Sequence, residues 1–224
     1  MYADCGSGCS ATGSPCPEPA RELRLPAVAT IDLSRALADD GDSLRLRPLP
    51  DEAAALLFEL DAPPRLAAHL RAVHDVAAQI LEWMQSRYPA IAVDVATTLA
   101  GAALHDIGKV RHRDELSGPG SSHEDSGYRL LRSRGVGEAV AGLVRDHGSW
   151  SRPDASMELL LVSLADSVWK DKRLVDLEQL VVDRIARVTG AEPWAVFADL
   201  DEVLTAIGSR AVERLAYQNQ YGVR

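Results

Sequence analysis

The sequence predicts an all-α fold, a helical bundle preceded by a short irregular N-terminal extension, and three observations predict it. From Asp51 onward apolar residues recur at helical spacing instead of alternating. Gly and Pro stand at the ends of those runs, where helices start and stop. The chain is 46% apolar but only 5% aromatic, which suits an aliphatic helical core. A length of 224 residues accommodates one domain with a short extension.

Residues 1–24 read as a disordered tail rich in Gly, Ser and Pro. Its Cys5, Cys9 and Cys16 lack a fourth ligand and the tight pairing of a metal site, so they read as incidental thiols without an assigned function. Residues 25–50 form the extension, where AVATIDL and SLRLRPL flank the turn-like DDGD and suggest a short hairpin or a loose packing segment. Helices follow at about 51–60, at 64–87 between Pro63-Pro64 and Pro89, and at 91–107 up to Gly108. Others fit about 122–134, 137–147, 156–170, 174–189 and 193–217, the last broken near Gly208.

No stretch approaches the roughly 20 apolar residues of a membrane span, and the N-terminus lacks the basic and apolar regions of a signal peptide, so a cytoplasmic protein is expected. A net charge of -9 argues against general nucleic-acid binding. A small anionic substrate needs only a local positive cluster, which Lys109, Arg113 and Lys172 can supply.

On the wheel of helix 64–87, Leu66, Leu70, Val73, Ala77, Ile80 and Met84 form the apolar stripe, with Arg71, Asp75, Gln79 and Glu82 opposite. His69 flanks the stripe, and taken alone it reads as a hydrogen-bonded core histidine. His74, five residues on, points about 140° away, so one face cannot present both, and it reads as boundary packing. His105 and Asp106 sit side by side at the end of the third long helix, where imidazole and carboxylate can grip one divalent ion and the second carboxylate oxygen can reach another. Asp166 falls on the apolar wheel of SMELLLVSLADSVWK, and a buried carboxylate there requires a cation, either Arg or a metal.

HLRAV around His69, ALHDIGK around His105 and Asp106, and LADS around Asp166 together resemble the H…HD…D pattern of the HD superfamily over about residues 55–170. The resemblance implies an all-helical HD-domain bundle, assigned to 51–224, with a divalent metal on His69, His105, Asp106 and Asp166. His123 in SSHEDSGYRLL and His147 in GLVRDHGSW fall where binuclear members place two further ligands, implying two ions of iron, manganese or magnesium. Ser121 and Glu124 match a capping box that would set His123 in the first turn of its helix, and Gly148 suits a helix end at His147.

Such a centre implies hydrolysis of a small phosphorylated substrate, a nucleotide or a related ester or anhydride, by metal-activated water. Asp106 would bridge the ions, with Asp106 and Lys109 as catalytic residues and Lys109, Arg111 and Arg113 holding phosphate charge. LADSVWKDKR resembles the bacterial HD enzymes that cleave diadenosine tetraphosphate, which would make Arg173 a substrate ligand. The run HGSW departs from their HTTG-like sequence, and the GYP signature of cyclic di-GMP phosphodiesterases is missing. Two other readings stay open. One is a mixed-valent di-iron oxygenase with the same six ligands, against which stands the lack of a Tyr between Tyr2 and Tyr88. The other is a binding module with a vestigial site.

Overall fold

The computed structural model describes residues 28–38 and 44–222. Cys5, Cys9 and Cys16 and the 1–24 tail lie outside the described residues, among which there are helices and no strand. The helices are α1 (Val28–Ala38), α2 (Asp51–Glu59), α3 (Pro64–Arg87), α4 (Val95–Leu104), α5 (Ser122–Ser133), α6 (Glu138–Asp146), α7 (Met157–Val168), α8 (Val175–Thr189), α9 (Pro193–Gly208) and α10 (Ala211–Asn219). Two 3-10 turns, Ile107–Val110 and Arg113–Leu116, link α4 to α5. None of the described helices is long and apolar enough to cross a membrane.

Local chemistry sets most boundaries. Pro64 opens α3, where a missing N–H costs nothing, and Pro193 does the same for α9. Gly190 ends α8 at φ 72°, a left-handed cap that a side chain would strain. The third long helix is shorter than its sequence suggests: the Asp94 carboxylate accepts the Thr97 N–H at 3.0 Å and starts α4 at Val95. It stops at Leu104, so His105 and Asp106 occupy a turn instead of the helix's last residues.

The hairpin suggested for 25–50 does not form among the described residues. Residues 28–38 are the helix α1, which buries Leu33 and Ala36 against α3, and residues 44–50 run without a strand partner. A lone two-stranded ribbon is marginal in water, whereas a helix laid on α3 buries its apolar face at once. The 44–50 segment covers the face of α3 that the wheel marks as solvated. Leu44, Leu46 and Leu49 are buried, and Arg71 and Asp75 are buried with them. Arg71 donates to the carbonyls of Leu46 at 2.8 Å and Arg47 at 3.2 Å, and the Asp75 carboxylate accepts the Arg47 N–H at 3.1 Å. Those polar groups are buried because backbone groups of the segment satisfy them.

α3 is thus the central rod, packed by α1, α4, α7 and α10. α10 is tied down by Arg214, only 1% exposed, which donates to the carbonyls of Trp169 and Ile207 at 2.6 Å each. Burial pulls its guanidinium down to about 10, so it remains charged at neutral pH. Arg214→Met should lower the unfolding free energy by about 3 kcal/mol, the loss expected for two hydrogen bonds from a buried cation. Urea unfolding measures it, and a loss below about 1 kcal/mol would show that α10 holds without this residue.

Candidate metal centre

Five segments deliver side chains to one point. His69 comes from α3, His105 and Asp106 from the turn after α4, His123 from the first turn of α5, His147 from the end of α6, and Asp166 from α7. The two oxygens of Asp106 divide the imidazoles between them. Oδ2 stands 3.1 Å from His69 Nε2 and 3.5 Å from His105 Nε2, while Oδ1 stands 2.9 Å from His123 Nε2 and 3.7 Å from His147 Nε2. Asp166 Oδ1 completes the first group at 3.4 Å from His69 Nε2 and 3.3 Å from His105 Nε2. His69, His105 and Asp106 form one buried cluster able to hold a metal ion, and Asp106, His123 and His147 form another.

The donors are oriented for a cation. His105 Nδ1 lies 2.9 Å from the Ala102 carbonyl and His147 Nδ1 2.8 Å from that of Val144. A carbonyl only accepts, so each Nδ1 carries a proton and each neutral ring turns the Nε2 lone pair inward. His69 Nε2 faces His105 Nε2 at 3.2 Å, and the buried His123 Nε2 faces Asp106 Oδ1. Lone pairs and carboxylates aimed at one space repel unless positive charge lies between them, and the donor set fits divalent ions.

The electrostatics agree. Burial alone would raise the Asp106 carboxyl, but the neighbouring His105, His123 and His69 outweigh it and hold the group well below its usual range. Asp166 is lowered in the same way, burial being outweighed by His105 and His69. Burial, the larger cause, together with the neighbouring His105 pushes His147 down to about 4, which leaves it neutral at neutral pH. Asp166 is not sealed in the core, since 30% of its side chain is exposed. His74 joins neither cluster. It is buried elsewhere on α3, and burial lowers it to about 4.

His123 reaches the centre by a route different from the expected one. Ser121 makes no side-chain cap, so the capping box does not form. Glu115, from the second 3-10 turn, accepts the N–H groups of Ser122 at 3.1 Å and His123 at 3.2 Å, and its Oε2 meets His123 Nδ1 at 2.5 Å. One carboxylate from outside the helix therefore caps α5 and fixes the ring that faces Asp106. Gly108 makes the approach possible, because a Cβ there would lie 2.0 Å from the His123 carbonyl oxygen and 2.7 Å from the Gly127 nitrogen.

The cationic residues expected at the site are mostly elsewhere. Lys109 is present, its Nζ 2.6 Å from Asp106 Oδ2. Arg113 donates to the Asp61 carbonyl at 3.3 Å, and Arg111 borders a separate surface hollow with His112 and Arg129. Arg173 is held by Glu178 at 2.7 and 2.8 Å and Asp201 at 2.9 Å, so its charge is already spent. The cleft beside the centre, about 220 Å³, is bordered instead by Arg65, Trp169, Lys170 and Gln218 together with His69, Asp106 and Lys109. Sequence reasoning does not reach Glu115 and these cleft residues, because nothing in their local sequence separates them from surface charges or core aromatics.

Removing the outer carboxylate tests this architecture. Glu115→Ala should weaken metal binding at the His123 side by about 10- to 100-fold while the other cluster keeps its ion. Metal titration followed by elemental analysis reads the outcome, and unchanged affinity would show that His123 needs no outside support.

Comparison with known proteins adds one match. The family profile described as HD domain matches residues 66–171, the stretch that contains all six converging side chains. No curated protein and no solved structure matches the chain. The sequence match and the clustered His and Asp side chains point the same way: residues 66–171 are similar to the HD domain family.

Proposed function

We propose that this protein is a metal-dependent phosphohydrolase that holds two divalent ions, iron, manganese or magnesium, and cleaves a phosphate ester or anhydride bond in a nucleotide or related small phosphorylated compound. The observation that carries the reading is the division of Asp106, with one oxygen toward His69 and His105 and the other toward His123 and His147. In this assignment His69, His105 and Asp166 would hold one ion and His123 and His147 the other, with Asp106 offering an oxygen to each. When bound, the ions would supply an activated water and neutralise phosphate charge.

The chain's own residues then have separable tasks. Asp106, ionised and buried, keeps the two halves of the site together. Lys109, paired with Asp106, balances the carboxylate and is close enough to take up charge appearing on a phosphate oxygen as the bond breaks. Glu115 keeps a proton on His123 Nδ1 and leaves Nε2 facing the centre. Trp169, packed edge-on to His69 at 4.8 Å, limits water and fixes the angle of that ring. Arg111, Arg113 and Arg173 receive no role here, because none of them is among the residues that border the cleft.

Asp106→Ala should reduce metal content from about two ions per chain and lower kcat/KM by at least about a hundredfold, as it removes the shared ligand. His74→Ala should change neither, and equal losses from both would mean that the wrong face of α3 has been assigned.

The source of oxygen distinguishes hydrolysis from oxygenation. Turnover should persist without air and with Mn²⁺ or Mg²⁺, and labelled water should place its oxygen in the released phosphate or in the other product. Strict dependence on iron and dioxygen, with no label from water, would replace hydrolase by oxygenase while leaving the ligands in place.

A further inference from the structure

Arg65 lies four residues before His69 on α3, one helical turn or about 6 Å along the axis, on the same face. Lys170 and Trp169 follow Asp166 by four and three residues at the end of α7, so both elements carry a metal-site residue and then a polar group farther along the same cleft. α10 closes the far side with Gln218. This wall is positive in a chain whose net charge is -9.

These groups are short of partners. Arg65 Nε is buried with no hydrogen-bond partner, and its Nη1 makes only a 3.5 Å contact with the Tyr221 carbonyl. Trp169, 3% exposed, has an indole N–H that is also without a partner. Among the described residues no carboxylate pairs with Arg65 or with Lys170, whose ammonium lies 5.7 Å from the Trp169 ring centre. Arg47, Arg87, Arg145 and Arg173 by contrast are all held by carboxylates. Buried donors in native proteins are nearly always satisfied, so an unsatisfied guanidinium N–H and indole N–H bordering one cleft call for an acceptor that arrives with the ligand.

Resting on the phosphohydrolase reading, we propose that Arg65, Lys170 and Trp169 form a subsite for a second anionic group of the substrate. The favoured substrate class is therefore a compound with two linked phosphates, such as a phosphoanhydride, rather than a simple monoester. One phosphate lies at the metal ligands, and the next lies one helical turn away at Arg65 and Lys170, with Gln218 of α10 alongside. A bidentate guanidinium suits a phosphate's paired oxygens, and the adjacent ammonium adds charge without demanding a fixed angle.

Equilibrium binding tests this without turnover. Calorimetric titration of the manganese-loaded protein with methylenediphosphonate, and with methylphosphonate as the single-anion control, gives a ratio of affinities. The wild type should prefer the bisphosphonate, and Arg65→Gln should reduce that ratio about 10- to 100-fold, the worth of a charge-assisted contact. Lys170→Gln, at an exposed position that carries little folding risk, should reduce it in the same direction by a smaller factor. A wild type without preference, or variants that leave the ratio unchanged, would overturn the subsite. Tight, Arg65-dependent bisphosphonate binding by a protein that hydrolyses no phosphate compound would keep the subsite and reject the phosphohydrolase reading instead.

Discussion

The centre depends on one carboxylate. Asp106 is almost fully buried, ionised, and surrounded by four imidazoles and one ammonium, with one oxygen toward each half of the cluster. A buried charge of this kind is tolerated only where partners compensate its lost hydration. Each segment that supplies a partner must then be held in place by interactions outside the cluster. Ala102 and Val144 lend carbonyls to two rings, Glu115 lends a carboxylate to a third, and Trp169 packs against the fourth. The ring orientations are therefore properties of the backbone and of neighbouring side chains before any ion binds.

That requirement explains the shape of the bundle around the site. His105 and Asp106 leave the helix and enter a turn, which frees them from helical side-chain directions and lets both face inward. The turn can sit against α5 only because Gly108 and Gly127 allow the backbones to meet. α3 is the reference against which the other segments are placed. Its buried Arg71 and Asp75 are spent on the 44–50 segment, so its opposite face is left to carry His69 and Arg65 toward the cleft.

Electrostatics divide the surface from the cleft. Arg47, Arg87, Arg129 and Arg134 are neutralised by carboxylates on the surface, where such pairs contribute little to stability. Around the cleft, Lys109, Arg65 and Lys170 gather in a protein of net charge -9, an arrangement that concentrates anions locally while the surface stays acidic. α10 lies beyond the stretch that matches the HD family profile, yet it closes this cleft and is anchored by Arg214 to the Trp169 carbonyl.

Much of this was legible in the chain. Helices from α2 to α10 follow from apolar spacing and from Pro and Gly at their ends, because these are local causes acting within a few residues. The six converging side chains were legible through the resemblance of their order to the H…HD…D pattern of the HD superfamily, since His69 by itself reads as a core histidine. Other features were decided only when distant segments met. Residues 28–38 became a helix because α3 offered a face to bury it, and Arg71 and Asp75 went inside because 44–50 supplied their partners. Glu115 displaced the expected Ser121 cap by approaching from another turn, and Arg173 was withdrawn from the site by Glu178 and Asp201. Arg65 and Trp169, far apart along the chain, border one cleft only because α3 and α7 pack together. A side chain's role follows from the partner it finds, and sequence spacing determines partners only within an element, whereas partners between elements are determined by packing.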